Sequence, residues 1–365
     1  MAVRLVNVVG ARPNLMKIAP LMKAYRQSDR FEPLLVHTGQ HYDANMSSLF
    51  FEQLGIPRPD VNLGVGSGSQ AEQTAAIMQA FEPVLLEYRP DAVVVVGDVN
   101  GTLACALVAA KLGIPVVHIE AGLRSFDRTM PEEINRILTD SVSHLLFCTE
   151  ESAVKNLSHE GVDPDRVHLV GNLMIDALES HRRLAESSPI LEDLGLSSRQ
   201  YGLTTLHRPS NVDDPLVLGR ILDALEEIGR DGPIVFPAHP RTVQRLDAFG
   251  FSERLSSSPA FILVEPLGYL EFLKLMAHAT VVLTDSGGIQ EETTVLGVPC
   301  LTLRENTERP ITVTAGTNRI VGTDPAAILT AYRTSRSSQV QPIHPPLWDG
   351  STAARITPIL DAAYS

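Results

Sequence analysis

One segment of the chain contains the strand–turn–helix pattern that the rest of the chain repeats: Val281-Val282-Leu283-Thr284-Asp285-Ser286-Gly287-Gly288-Ile289-Gln290-Glu291-Glu292. A short apolar run, typical of a buried strand, leads directly into two glycines and then into a helical pattern. Glycines at such a turn let an anionic ligand approach the N–H groups of the helix N-terminus. Ser286 can donate a hydrogen bond there, and Glu292 can accept two from ribose hydroxyls. The alternative is an ordinary helix N-cap with acidic residues that complement the helix dipole.

The same alternation of apolar runs and helical patterns continues along the chain. The runs cover residues 5–9, 34–37, 92–96, 116–119, 145–148, 167–170, 202–206, 234–236, 261–264, 281–283, 300–303 and 319–321. Helical patterns cover residues 15–26, 72–88, 102–112, 132–142, 216–229, 267–277, 289–296 and 353–364. Strands and helices that alternate in this way predict an α/β fold with parallel sheets.

The runs fall into two groups, and a length of 365 residues favours two domains of similar size. We therefore predict two Rossmann-like domains, at residues 1–172 and 173–348, with a ligand cleft between them. Residues 349–365 contain a final helix that could pack back on the N-terminal domain.

Composition narrows the range of functions. The formal net charge of -13 disfavours binding to nucleic acid or to an anionic membrane. Cys105, Cys148 and Cys300 lie far apart, which predicts reduced, buried thiols rather than disulfides or a zinc site. The N-terminus lacks a signal-peptide pattern and no apolar run approaches the length of a membrane span. We therefore expect a soluble cytoplasmic protein.

The first strand ends in Gly10-Ala11-Arg12-Pro13, with Lys17 in the helix that follows. A glycine turn at a helix N-terminus binds anions, and Arg12 and Lys17 add full positive charges there. The glycine spacing is not that of a dinucleotide fingerprint. An ordinary turn with solvated basic residues is the alternative.

Acidic side chains follow other strands. Asp98 and Glu120 come at the ends of two of them, and Glu132 begins a helix after Pro131. Because carboxyl ends of parallel strands face the ligand crevice, Asp98 and Glu120 could meet there and transfer protons. The alternatives are capping or hinge roles for Asp98 and Glu120, and a common helix start for Glu132.

Two histidines end strands of the C-terminal domain, in His207-Arg208 and His239-Pro240-Arg241. Each pair combines an acid–base or phosphate-binding imidazole with a guanidinium. Structural or exposed histidines are the alternative. Neither motif has metal-ligand spacing, so no metal is indicated.

Taken together, these motifs make the chain resemble the non-hydrolysing UDP-N-acetylglucosamine 2-epimerases over nearly its whole length. The matching pieces are Gly10-Ala11-Arg12-Pro13 with Lys17, Thr38-Gly39-Gln40-His41, Gly97-Asp98, His118-Ile119-Glu120-Ala121-Gly122-Leu123-Arg124, Pro131-Glu132-Glu133-Ile134-Asn135-Arg136, His207-Arg208, residues 285–292 and Thr307-Glu308-Arg309-Pro310. The resemblance implies a glycosyltransferase-B-like fold, a UDP-sugar substrate and a cytoplasmic homodimer. It also implies a role in cell-surface polysaccharide biosynthesis, with neither a metal nor a nicotinamide cofactor.

The resemblance also implies roles for particular residues. The catalytic set would be Asp98, Glu120, Glu132 and His207. The UDP-sugar would be bound by Arg12, Lys17, Gln40, His41, Arg136, Arg208, His239, Phe272, Ser286, Gly287, Gly288, Glu292 and Arg309. The family reaction inverts C2 of the sugar: UDP is eliminated to a glycal-like intermediate and is then added back.

One departure from the family pattern concerns regulation and substrate. Many bacterial members have arginine after Gln-His, in a region where a second substrate molecule activates the enzyme, whereas this chain reads Gln40-His41-Tyr42-Asp43. Residues 64–70 also contain no arginine. We therefore expect no activation by substrate. The same variant occurs in relatives that epimerise a UDP-linked 2,3-diacetamido glucuronic acid. The motifs are also compatible with a retaining glycosyltransferase, a hydrolysing epimerase or a nucleotide-sugar sensor.

Overall fold

The computed structural model describes residues 2–39, 55–56, 58–337 and 344–365, without the side chains of Arg12 and Ser337. The chain divides into two compact units. Unit 1 comprises Met1–Ser180 and Pro346–Ser365, and unit 2 comprises His181–Pro345. Each unit has a parallel sheet of its own, which confirms the predicted fold class.

Unit 1 is built on a seven-stranded sheet in the order β3-β2-β1-β4-β5-β6-β7. The strands are β1 (Val3–Val9), β2 (Phe31–His37), β3 (Val61–Asn62), β4 (Ala92–Val96), β5 (Val116–Ile119), β6 (Leu145–Cys148) and β7 (Val167–Leu169). The helices are α1 (Arg12–Arg26), α2 (Gln70–Tyr88), α3 (Asn100–Lys111), α4 (Pro131–Val142), α5 (Glu151–His159) and α6 (Leu173–Ala185). The sequence pattern misses β3, because two residues are too few to show a period.

Unit 2 is built on a six-stranded sheet in the order β10-β9-β8-β11-β12-β13. The strands are β8 (Gly202–Thr205), β9 (Ile234–Pro237), β10 (Phe261–Val264), β11 (Val281–Thr284), β12 (Cys300–Thr302) and β13 (Asn318–Ile320). The helices are α7 (Ile190–Asp193), α8 (Pro209–Val212), α9 (Pro215–Ile228), α10 (Pro240–Ala248), α11 (Ser252–Ser257), α12 (Tyr269–His278), α13 (Gly287–Leu296), α14 (Ile311–Thr314) and α15 (Pro325–Ser337).

The central strands have no polar face because helices cover both sides of each sheet. Every residue of β4 is buried, and its Val-rich sequence suits a strand with two covered faces. Cys105, Cys148 and Cys300 are buried free thiols, as predicted. None of the helices in the described ranges has both the length and the apolar character that a bilayer crossing requires.

The last helix, α16 (Thr352–Tyr364), belongs to unit 1. Its first turn is capped by Asp176, which accepts hydrogen bonds from the N–H groups of Thr352 (3.0 Å) and Ala353 (2.8 Å). Because Asp176 lies on α6, the first part of that helix is fixed to unit 1. The units therefore divide after Ser180, whereas the sequence places the boundary after residue 172.

Candidate active site

Strand order brings polar side chains to one edge of each sheet. In unit 1, β1 lies between β2 and β4, and in unit 2, β8 lies between β9 and β11. Consecutive crossovers run in opposite directions from these points, and ligands of doubly wound folds bind there, outside the carboxyl ends of the strands. Most of the residues that the sequence indicates follow these strands.

Lys17 and Glu120 form a buried ion pair in unit 1, with side chains 7% and 5% exposed. Lys17 lies on α1 and Glu120 directly follows β5. The turn before α1 is held by Asn14, whose Oδ1 accepts from the N–H of Ala11 (3.0 Å) and whose Nδ2 donates to the carbonyl of Val96 (2.7 Å). Two residues predicted from separate motifs are thus in direct contact.

The backbone of Glu120 has a φ of 72°, in the left-handed region that non-glycine residues seldom occupy. The N–H groups of Glu120 and Ala121 both donate to the carbonyl of Phe147, at 3.1 and 3.0 Å. These bonds hold the strained turn and aim Glu120 toward Lys17. Strain of this kind occurs preferentially at functional sites, which supports the choice of Glu120.

Asp98 follows β4 and is bound by Arg136 on α4. One guanidinium nitrogen pairs with Oδ2 of Asp98, and another pairs with Oε2 of Glu133. Asn135 Nδ2 also donates to the main-chain carbonyl of Asp98 at 2.9 Å. Arg136 is almost fully buried, whereas the side chain of Asp98 is 26% exposed and can therefore reach a ligand.

The neighbouring acids Glu132 and Glu133 differ sharply in their surroundings. Glu133 is buried and accepts hydrogen bonds from the N–H of Ser125 (2.9 Å), the hydroxyl of Ser125 (2.9 Å) and the N–H of Phe126 (2.8 Å). It therefore holds the loop before α4. Glu132 is half-buried and stays the candidate of the two for contact with substrate.

A second buried network supports the same edge of the sheet. His118 Nδ1 lies 2.6 Å from Oδ1 of Asp140, and Nε2 lies 2.8 Å from the carbonyl of Gly97. Arg124 pairs with Oδ2 of Asp140 at 2.7 Å. Burial raises the pKa of Asp140, but the charges and hydrogen bonds of His118 and Arg124 outweigh burial and lower it. This network fixes the turns that carry Asp98 and Glu120.

Three predicted binding residues have no described side chain. Arg12 begins α1, but its side chain lies outside the described part of the structure. Gln40 and His41 lie outside the described residues altogether.

In unit 2, Asp285 organises the ends of two adjacent strands. It follows β11 and accepts hydrogen bonds from the N–H groups of His207 (3.0 Å) and Arg208 (2.9 Å), which follow β8. Arg208 Nε in turn donates to the carbonyl of Asp285 at 3.0 Å. Asp285 thus holds His207 in place, and because the side chain of His207 is 51% exposed, a ligand can reach it.

Ser286 is the N-cap of α13, Gly287 and Gly288 begin its first turn, and all three residues are half-buried. A Cβ on Gly287 would lie 2.5 Å from Nη1 of Arg309 and 2.6 Å from Oε1 of Glu308. A larger residue at this position would therefore displace the guanidinium that packs against the helix N-terminus. A cation beside free N–H groups makes this turn suitable for a phosphate.

Buried carboxylates hold Arg309. Its Nε lies 2.7 Å from Oε1 of Glu291, and its Nη1 pairs with Glu308. Arg304 pairs with the other oxygen of Glu308 at 2.8 Å. The predicted phosphate-binding Arg309 is thus fixed by acids from two other motifs.

Glu292 is fully buried one turn into α13. Burial raises its pKa to about 8, with a further increase from Glu291, and a hydrogen bond from the hydroxyl of Tyr269 (3.1 Å) partly opposes this. Phe272 lies one turn after Tyr269 on α12 and is half-buried. A buried carboxyl group with a raised pKa suits the recognition of neutral hydroxyl groups.

His239 has a local structural use. It is exposed and caps α10, where its Nδ1 accepts a hydrogen bond from the N–H of Arg241 at 3.3 Å. A role in substrate binding therefore stays a prediction. Within the described ranges, no group of three or more His, Cys, Asp and Glu side chains could hold a metal ion.

Asp285 is the residue that reasoning from the sequence missed. It stands between the apolar run and the two glycines at 287 and 288, but a pattern of residue types does not show that it bonds with His207 across two strands. A buried acid at the end of a strand, next to a strand that ends in histidine, is the signal that could have found it.

Comparisons with known proteins show which family the chain resembles. A family model described as UDP-N-acetylglucosamine 2-epimerase matches residues 23–361. A protein of that name from Methanocaldococcus jannaschii is 43% identical over 364 residues, covering 97% of each chain. A UDP-2,3-diacetamido-2,3-dideoxy-D-glucuronate 2-epimerase from Pseudomonas aeruginosa is 42% identical, covering 98% of this chain and 99% of the relative.

A solved structure extends the comparison to the fold. The Methanocaldococcus jannaschii UDP-GlcNAc 2-epimerase, crystallised with UDP-GlcNAc and UDP, superposes with a TM-score of 0.93 at 43% identity. The match covers 98% of this chain and 99% of that one. It confirms the glycosyltransferase-B-like fold class.

Proposed function

The chain belongs to the UDP-N-acetylglucosamine 2-epimerase family, and on that premise we propose that it interconverts UDP-GlcNAc and UDP-ManNAc. It is an isomerase that acts on a UDP-sugar. The observation that carries the proposal is the pair of carboxylates after the adjacent strands β4 and β5. Asp98 and Glu120 are each held there by an ion pair with a buried cation, at the strand ends where positioned carboxyl groups could transfer protons to and from a sugar carbon.

In the proposed reaction, a carboxylate takes the proton from C2 of the sugar. The electrons of that C–H bond form a C1–C2 double bond, and the C1–O bond breaks so that its electrons leave with UDP. In the return step, a UDP oxygen attacks C1 and an acid on the opposite face protonates C2. The carboxylates assigned to these steps are Asp98, Glu120 and Glu132.

The leaving diphosphate needs fixed positive charge, since negative charge develops on it as the C1–O bond breaks. We assign this role to Arg12, His207 and Arg309, and place the phosphates at the turn from Ser286 to Gly288. The ribose hydroxyls bind Glu292. The remaining substrate contacts in the proposal are Lys17, Gln40, His41, Arg136, Arg208, His239 and Phe272.

The family further suggests a cytoplasmic homodimer that supplies a sugar for polysaccharide synthesis and uses no cofactor. Sedimentation velocity tests the oligomeric state, and a monomer at micromolar concentration would contradict it.

A second substrate has a specific observation in its favour. The relative named for UDP-2,3-diacetamido-2,3-dideoxy-D-glucuronate is 42% identical, against 43% for the UDP-GlcNAc epimerase from Methanocaldococcus jannaschii. Overall identity therefore does not separate the two sugars, and both need to be assayed.

The test is NMR of the purified protein in deuterated water with each UDP-sugar in turn. The preferred substrate is expected to gain deuterium at C2 in both epimers. Epimerisation without exchange would contradict the elimination mechanism. Free ManNAc with UDP would indicate a hydrolysing enzyme, and product only with an added acceptor would indicate a glycosyltransferase. UDP binding that survives Asp98→Asn, without turnover in the parent protein, would indicate a sensor.

A further inference from the structure

A small cavity lies within unit 1, against the Lys17–Glu120 ion pair. Its volume is about 10 Å³, which is room for a single water molecule. The polar side chains that line it are Lys17, Glu120, Thr149, Asn172 and Thr352, and apolar side chains close the remainder.

Three buried polar atoms at this cavity have no hydrogen-bond partner among the described residues: Oγ1 of Thr149, Nδ2 of Asn172 and Oγ1 of Thr352. The three side chains come from separate parts of the unit, after β6, before α6 and at the start of α16. They are 4%, 1% and 1% exposed. Buried polar groups are nearly always hydrogen-bonded, so three such atoms at one cavity point to a missing partner.

Other bonds of the same residues fix their positions. Oδ1 of Asn172 accepts from the N–H of Met174 at 2.9 Å, which leaves Nδ2 as a donor. The N–H of Thr352 donates to Asp176, and the carbonyl of Thr149 accepts from Trp348 at 2.9 Å. These bonds fix the side-chain amide of Asn172 and the backbone at Thr149 and Thr352, so all three residues hold their places around the cavity.

We propose that this cavity binds one ordered water, and that Thr149, Asn172 and Thr352 position Glu120 through it. The water accepts a hydrogen bond from the amide of Asn172 and exchanges hydrogen bonds with the two hydroxyl groups. Its remaining bonding capacity serves the Lys17–Glu120 pair, which lines the same cavity.

The arrangement suits a carboxyl group that changes its protonation state in each catalytic cycle. A water molecule and two threonine hydroxyls can each donate or accept. They can therefore bond with an ionised Glu120 and, after reorientation, with a protonated one, while the side chain stays in place. This role for Glu120 rests on the proposed function.

The water itself is tested by a high-resolution crystal structure of the full chain with UDP. One water is expected within hydrogen-bond distance of Thr149, Asn172 and Thr352. An empty cavity, or one filled by a rotated side chain, would overturn the proposal.

The positioning role is tested with Thr149→Val and Thr352→Val, which keep the shape of each side chain and remove only the hydroxyl. We expect kcat to fall about tenfold with KM nearly unchanged, and the pH–rate profile to be displaced. Thr149→Ser keeps the hydroxyl that Thr149→Val lacks, and it is expected to show the pH–rate profile of the parent. An undisplaced profile in both valine variants would refute the positioning role.

Thr139→Val is the matched control. Thr139 is also buried in unit 1 and its Oγ1 also has no partner among the described residues, but it does not line the cavity. The kcat and pH–rate profile of Thr139→Val are expected to equal those of the parent. A pH–rate profile displaced as far as in Thr149→Val and Thr352→Val would overturn the proposal. If the parent protein turns over neither sugar, the proposed function and the positioning role fail together, whereas the crystallographic water is judged independently of turnover.

Discussion

Nδ1 of His207 lies 2.7 Å from Oδ1 of Asp285, a carboxylate with no exposed surface. Burial raises the pKa of Asp285, but the charge of His207 and the hydrogen bonds from His207 and Arg208 outweigh burial and lower it. An ionised Asp285 accepts a hydrogen from Nδ1, so Nε2 is the nitrogen that can serve a ligand. The pair thus sets both the tautomer and the orientation of His207, as in hydrolases with an Asp–His dyad.

Asp285→Asn is expected to lower kcat about 100-fold with a small change in KM, because an amide can donate to Nδ1 and so favour the wrong tautomer. Steady-state kinetics with UDP-GlcNAc measure this. Asp231→Asn is the control, since that acid pairs with Arg336 and Tyr332 elsewhere in unit 2. Equal kcat values for Asp285→Asn and the parent would show that His207 needs no orienting acid.

UDP binding is expected to release a proton. Burial raises the pKa of Glu292 to about 8, so the free protein holds it neutral near pH 7. Hydroxyl groups that donate to a carboxylate favour its ionised form, so UDP affinity should increase as the pH rises toward about 8. Calorimetry in buffers of different ionisation enthalpy measures the number of protons released when UDP binds.

Glu292→Gln is the matched variant, because it keeps the shape of the side chain and cannot titrate. Its UDP affinity should lose the part of the pH dependence that Glu292 causes, while the part that arises from the diphosphate persists. Identical pH dependence in the variant and the parent would exclude Glu292 as the proton source.

Asp140→Asn is expected to destabilise unit 1 by about 3–5 kcal/mol at neutral pH, because the buried guanidinium of Arg124 loses its buried carboxylate partner and keeps only the more exposed Glu160. The folded-state pKa of Asp140 is lowered, so its contribution exists above the unfolded value of 3.8 and is lost as the pH falls through the folded-state pKa. Urea unfolding at several pH values checks this. Asp29→Asn, at an exposed position, serves as the control. If the free energies of unfolding of Asp140→Asn and the parent still differed at the lowest pH, the destabilisation would not be electrostatic in origin.

Gly287→Ala is expected to weaken UDP binding about tenfold, or about 1.4 kcal/mol, with the fold retained. The new Cβ would lie only 2.5 Å from Nη1 of Arg309, so the guanidinium would have to move away from the helix N-terminus. Titration calorimetry with UDP measures the effect. At Gly66 an added Cβ meets nothing within 4 Å, so Gly66→Ala should bind UDP like the parent. Unchanged affinity in Gly287→Ala would remove Arg309 from the phosphate site.

Local pattern predicts most of the fold. The apolar runs at residues 92–96, 116–119 and 261–264 coincide with β4, β5 and β10. Every residue of β4 and β5 is buried, and strands that are covered on both faces consist mostly of apolar residues. The patterns do not predict α5 and α10, each of which buries only two side chains and therefore has too narrow an apolar stripe. The two-residue β3 is too short to show any pattern.

The sequence by itself determined the α/β class, the family and the identity of most candidate site residues, because periodicity and ordered motifs are local properties of the chain. Only the tertiary structure decided which of them touch. Lys17 meets Glu120, Arg136 meets Asp98, and Asp285 orients His207, and each contact joins parts of the chain that are far apart in sequence. The physical reason is that strand order and burial set these contacts. Both also determine that Glu133 holds a loop whereas its neighbour Glu132 is left to reach a ligand.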